Sequence, residues 1–259
     1  MIIHPNRYHK INPALIQQVI GGKAAAGFPK PVGAWLINEG SGTDFLDSVA
    51  GNNLNSTFTP IWEATPAAGL AAPYMVVTGN QTQPWETSSG TPFNFSGTST
   101  FSVSVWLLLN NVNFYSEIVG NLEASPSFAG WELDTEQIAS GLLSFYIASN
   151  ITSGQYINVS IPASDVPTGT AFHCAVTYSG SQTAAGVTIY INGVSQSVTV
   201  NSDTLSGHAV SSTSPLLLGA RIDNSTPLGA SGSVVQDLRI YNKTLTQAQV
   251  TTLYSAGPQ

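Results

Sequence analysis

The stretch GWELDTEQ, residues 130–137, alternates Glu132, Asp134 and Glu136 with Trp131, Leu133 and Thr135. Successive side chains of a β-strand point to opposite faces, so a strand here would line the three carboxylates along one face. Two carboxyl groups about 5–5.5 Å apart hydrolyse a glycosidic bond with retention, one as nucleophile and the other as acid and then base. Glu132 and Glu136 are four residues apart, which separates their Cα atoms by about 13 Å on a straight strand. Both side chains would have to lean inward over a concave sheet. The cleft would also need aromatic platforms for sugar rings and surroundings that raise one glutamic acid's pKa. Trp131 has the wrong parity to supply such a platform. The plainer expectation is a solvent-facing strand whose carboxylates decorate a wetted surface.

Other reactive residue types are sparse. His173 and Cys174 are neighbours, so on one strand they face opposite ways and cannot act as base and nucleophile. Cys174 is expected in the core and His173 on a polar outer face. His4, His9 and His208 fall in loop-like segments without metal spacing. There is no phosphate-cradling glycine loop, zinc pattern or nucleophile elbow.

Charge divides the chain. Arg7, Lys10, Lys23 and Lys30 lie in the first thirty residues, which contain no acid, whereas residues 31–220 contain no Lys or Arg. With an overall net charge of −7, the body lacks the clustered cations that phosphate neutralisation needs, which excludes nucleic acid as its partner. A single cysteine excludes internal disulfides. No apolar run is long enough to span a membrane and no cleavable leader is visible, so synthesis in the cytoplasm is expected.

Asn12, Pro13 and Gly21 punctuate NPALIQQVIG as one short helix, with Leu15, Ile16, Val19 and Ile20 as an apolar stripe that must dock on something. From residue 32 onward strand signals dominate. FSVSVWLLL puts Phe101, Val103, Val105, Leu107 and Leu109 on one face, and AFHCAVTY groups Phe172, Cys174, Val176 and Tyr178. VTIYINGV ends in Asn192-Gly193, a two-residue hairpin turn. LLLGARI (216–222) and VVQDLRIY (234–241) read as further strands. Thr246 and Gln249 form a capping box for a terminal helix with Val250 and Leu253 inward.

In this order the motifs resemble a known family. GAWLINEGSGTDFLDSVAGNN is similar to the opening of laminin-G-like, concanavalin A-like jelly rolls, and TFSVSVWL to their next core strand. GTAFHCAVTYSGSQTAAGVTIYINGV and GSVVQDLRIYNKTLTQAQVTTLY resemble the later strands and tail. The resemblance covers roughly residues 32–255. It implies an all-β, concanavalin A-like jelly-roll β-sandwich over 32–259, and the extended N-terminal arm (1–31) holding the short helix has no counterpart in that family. GWELDTEQIASGLLSFYIAS resembles that family's mid-domain hairpin. It also resembles the E-x-D-x-E strand of laminarinase- and lichenase-type glycosidases, which would make Glu132 the nucleophile, Glu136 the acid/base and Asp134 the orienting carboxylate. Thr135 departs from that signature, which normally has a large aliphatic residue there. Such sandwiches often hold one Ca²⁺ where the first loop meets the last strand. The resemblance implies Asp237 as ligand, facing Asp47 and Asn52, and the alternative is an Asx-turn at Asp47 with an ion pair between Asp237 and Arg239.

This fold hosts lectins, adhesion modules, enzyme appendages and virion proteins, so function is an expectation beyond it. A non-enzymatic display or adhesion module is expected, a bacteriophage or other viral structural protein. Arg7, Lys10, Leu15, Ile16, Val19 and Ile20 would anchor it to capsid or tail subunits in a virion, with glycan or surface binding at the loop rim. It would need no cofactor apart from the structural Ca²⁺ that the resemblance implies. The alternatives are a β-glucanase-like hydrolase using Glu132, Asp134 and Glu136, and a stand-alone lectin.

Overall fold

The computed structural model describes residues 28–66, 69–77, 83–110, 116–136, 142–221 and 233–259. The helix expected at 12–21 and the anchoring residues Arg7, Lys10, Leu15, Ile16, Val19 and Ile20 lie outside the described residues, as do residues 137–141.

Two antiparallel sheets pack face to face. The first runs β13 (Val194–Ser195), β12 (Val187–Ile191), β11 (Phe172–Tyr178), β6 (Phe101–Leu108), β16 (Ser233–Tyr241), β4 (Tyr74–Val77) and β3 (Ile61–Glu63), and β1 (Gly33–Trp35) also pairs with β16. The second runs β14 (Thr199–Asp203), β10 (Gln155–Pro162), β9 (Leu142–Asn150), β8 (Gly130–Glu136), β7 (Ser116–Gly120), β15 (Leu217–Leu218), β5 (Trp85–Thr87) and β2 (Leu54–Asn55). Alternation sends Phe101, Val103, Val105 and Leu107 of β6 and Trp131 and Leu133 of β8 into one shared core. Phe172, Cys174, Val176 and Tyr178 join it, because each strand must bury its apolar face against the opposite sheet.

The hairpin after β12 turns on Asn192 (φ 50°) and Gly193 (φ 77°), the left-handed pair that a two-residue turn requires. A Cβ on Gly193 would also come within 3.2 Å of Tyr254, so this glycine admits the terminal helix α1 (Gln247–Ala256) as well. Both halves of the Thr246–Gln249 capping box are formed. The strand expected over 216–222 contracts to two residues at 217–218.

Helix α1 changes the meaning of the first sheet's outer face. Val250 and Leu253 pack with Ala175, Tyr190, Tyr241 and Leu245, and Phe28 adds its ring beside Tyr241 at 6.3 Å. His173, expected on a polar outer face, does lie there but is wholly buried, because Trp106 and Tyr254 close over it. Its Nε2 meets Ser104 Oγ at 2.8 Å. Burial first, then the nearby Arg239 charge, lower its pKa to about 4. Cys174 on the opposite, core side is pushed up to about 12 by burial, a thiol with no nucleophilic character at neutral pH.

In β16 the register shifts between Gln236 and Arg239, and Asp237 takes φ 51°. This one-residue bulge lets both Val235 and Leu238 reach the core, three positions apart.

Candidate functional site

The carboxylates of β8 occupy the outer face of the second sheet, opposite Trp131 and Leu133. Cross-strand pairing arranges that face in rows. One row passes Glu117, Asp134, Ser144 and Ser160 on β7, β8, β9 and β10. The next crosses all eight strands: Asn55, Glu86, Leu217, Gly120, Glu132, Tyr146, Asn158 and Ser202.

A wetted surface was expected for these acids, and the structure corrects that: Glu132, Asp134 and Glu117 are all 0% exposed. Buried carboxylates need compensation. Arg221 provides it for Glu132, with Nε at 2.9 Å and a terminal guanidinium nitrogen at 2.8 Å from the same Oε2. The side chain of Glu136 lies outside the described residues. Gly120 is obligatory in this row, because a Cβ there would sit 2.6 Å from the Trp131 carbonyl and 2.9 Å from Glu132 Cα.

None of the five tryptophans stands on this face. Trp35, Trp85 and Trp131 fill the core and Trp62 packs against it, while Trp106 lies under α1 on the other sheet. Aromatic surface comes instead from tyrosines. Tyr146 and Tyr156, both half-buried, set their rings 6.0 Å apart at 35°. Beside them Phe128, Tyr146, Ile151 and Arg221 line a depression of about 130 Å³, and the Arg221 guanidinium lies 5.7 Å over the Phe128 ring. Phe128 holds φ 50°, a costly conformation for a bulky residue and one that gathers at functional sites. Ser144 Oγ and Asn158 Nδ2, buried on the same face, have no hydrogen-bond partner among the described residues.

The carboxylates implied as calcium ligands are engaged by N–H donors, the arrangement of the alternative reading. Asp47 Oδ1 accepts from the Ala34 and Val49 N–H groups, and Oδ2 accepts from the Ala50 and Asn52 N–H groups and from Asn52 Nδ2. That is an Asx-turn with both oxygens engaged. Asp237 accepts from Arg239 at 2.6 and 2.9 Å and from the Gln259 N–H at 3.2 Å. Burial would lower the pKa of Arg239, but the Asp237 carboxylate outweighs burial and raises it. Ca²⁺ seeks oxygen lone pairs, and here N–H donors already engage all four carboxylate oxygens. Among the described residues no group of three or more His, Cys, Asp or Glu side chains is placed to hold a metal.

Sequence reasoning missed Tyr146, Tyr156, Phe128 and Arg221. The parity of β9 and β10 would have exposed the tyrosines once the strands were assigned. Arg221, the first cation after Lys30, was marked by its isolation in an acidic body.

The family model described as the concanavalin A-like lectin/glucanase superfamily matches residues 79–251. Among solved structures, the chain is similar to the binding domain of Paraclostridial Mosquitocidal Protein 1, at TM-score 0.63 and 17% identity over 87% of this chain and 52% of that one. The botulinum neurotoxin serotype G binding domain gives 0.61 and 14% over 88% and 51%. Trypanosoma rangeli sialidase, solved in complex with sialic acid, gives 0.54 and 14% over 86% and 32%. The chain thus spans about half the length of the toxin domains and a third of the sialidase. Comparison with curated proteins found no match.

Proposed function

The chain belongs to the concanavalin A-like lectin/glucanase superfamily, and on that footing we propose that it is a non-enzymatic glycan-binding module. The observation that carries this reading is the half-buried Tyr146–Tyr156 pair beside Phe128 and Arg221 on the outer face of the second sheet. Aromatic faces meet the C–H faces of sugar rings, while an arginine and nearby amides fix hydroxyl groups. The binding-domain neighbours accord with it. A hydrolase is disfavoured because Glu132, its would-be nucleophile, is sealed from solvent and held by Arg221.

The test is a glycan array followed by titration of the best binder. Tyr156→Ala and Tyr146→Ala should each weaken binding about tenfold or more, in line with the loss of an anchoring aromatic. Unchanged affinity in both would move the site elsewhere. Turnover of mixed-linkage or β-1,3-glucan that disappears in Glu132→Gln would restore the hydrolase.

One observation favours display of this module from a larger assembly. Phe28, in the arm expected over residues 1–31, packs on the outer face of the first sheet, on the far side of the sandwich from the tyrosines. A support on one side would leave the binding face outward, whether that support is a capsid, a tail or any other scaffold. Removal of residues 1–27 should then release the protein from its assembly and leave glycan affinity intact.

A further inference from the structure

The register row that carries Tyr146 also carries Asn55 and Glu86 at the opposite edge of the second sheet. There, between β2 and β5, lies a second concavity of about 530 Å³ whose lining includes Asn55, Thr57, Gln83, Glu86 and Ser88. That volume falls within the range of small-ligand sites. On the core side of the same strand, Trp85 stacks on Phe45 at 4.9 Å, meets Phe58 edge-on at 5.5 Å and donates its indole N–H to the Thr43 carbonyl at 2.8 Å, which fixes β5 in place.

The lining decides the ligand chemistry. Among the described residues that line it, amides and hydroxyls dominate, Glu86 is the only charged side chain and Pro84 the only apolar one. With no cation among the described lining residues, a phosphate, sulfate or carboxylate would find no counter-charge there. Polar and apolar surface are mixed in similar measure, so a wholly apolar lipid would leave the amides and hydroxyls without partners. A neutral, hydroxyl-rich molecule matches alternating donors and acceptors. We propose that this groove is a second saccharide site, separate from the tyrosine platform and selective for neutral sugars.

Separation follows from what lies between the two. From β9 to β5 is four strand spacings, about 19 Å, and the intervening Leu217, Gly120 and Glu132 are all buried. The row is therefore open at its two ends and closed in the middle, so two short ligands fit where one continuous cleft does not. The proposal rests on the glycan reading for the identity of the ligand, but not for the site itself.

Calorimetric titration with neutral tetrasaccharides (cello-, laminari- and maltotetraose and lacto-N-tetraose) tests both. The expected result is two molecules bound per chain, falling to one in Thr57→Trp, which fills the groove from an exposed position, and to one in Tyr156→Ala. The pair Gln83→Ala and Ser88→Ala checks the groove without adding bulk and should weaken one of the two binding events at least fivefold. A stoichiometry that stays at one, or a Thr57→Trp protein that binds like wild type, overturns the second site. If binding survives Tyr156→Ala at full strength but is lost in Thr57→Trp, the platform reading fails and the groove stands. Absence of binding by every tetrasaccharide overturns both.

Discussion

The two outer faces of the sandwich carry similar residues and use them differently. On the first sheet, Ser102, Ser104, His173, Gln236, Arg239 and Tyr241 point away from the core, yet all are buried, and α1 and Phe28 pack over part of this face. On the second sheet, Glu117, Glu132 and Asp134 are equally buried, but the row that holds Glu132 opens at both ends, onto Tyr146 and onto Glu86. Polar residues on an outward strand face therefore do not by themselves mark a surface. A covered polar layer contributes specificity of docking at a desolvation cost, and only the margin of an uncovered one is available to a ligand.

The largest effect separating the two faces should come from the covered one. Arg239→Ala would strand the Asp237 carboxylate without its 2.6 Å partner, and loss of one member of a buried pair costs about 3–5 kcal/mol. Urea denaturation should show it, while glycan affinity of the folded fraction stays at the wild-type value. A loss below 1 kcal/mol would mean that the pair is not isolated from water.

Acid should act next, and again through the covered face. The folded pKa of His173 is about 4 against an ordinary 6.5, so its neutral form is favoured in the folded state. Its contribution to stability is whole above pH 6.5 and is lost as the pH falls from 6.5 through 4. The gap of about 2.5 pH units corresponds to roughly 3 kcal/mol at its limit. Arg239 is the charged neighbour that opposes protonation. Thermal melts of wild type and His173→Gln between pH 7 and 4 should converge as the pH drops, because only wild type carries this term.

Smaller effects mark the hinge of the covering helix and the open face. Gly193→Ala forces a Cβ into φ 77° against Tyr254, a strain of about 1–2 kcal/mol that scanning calorimetry would register. Tyr156→Ala should cost only about 1 kcal/mol of stability, since its ring is half-buried. If Tyr156→Ala destabilised as much as Arg239→Ala, the contrast between the faces would collapse.

The core was legible because alternation is a strong signal. Phe101, Val103, Val105 and Leu107, the Asn192-Gly193 turn and the Thr246–Gln249 cap all stand where the sequence places them. The parity of Glu132 and Asp134 was legible too, but not their burial. Parity assigns a side chain to a face, whereas its exposure depends on segments distant in sequence, such as Arg221 for Glu132 and α1 for His173. The surroundings of Asp47 and Asp237 were hidden for a related reason: their oxygens meet backbone N–H groups and a guanidinium that spacing alone does not reveal. The tyrosine platform needed neighbouring strands in register before Tyr146 and Tyr156 could be seen together.

The bulge at Asp237 acts as a phase corrector for the central strand. Strict two-step counting from Val235 would send Asp237, Arg239 and Tyr241 toward the interior and leave Leu238 and Ile240 outside. One residue wound the left-handed way absorbs the extra step, so the oily side chains fall inward and the guanidinium lands beside the carboxylate that balances it. Straightening that kink would invert the last four residues of the strand, and with them the seat on which the closing helix rests.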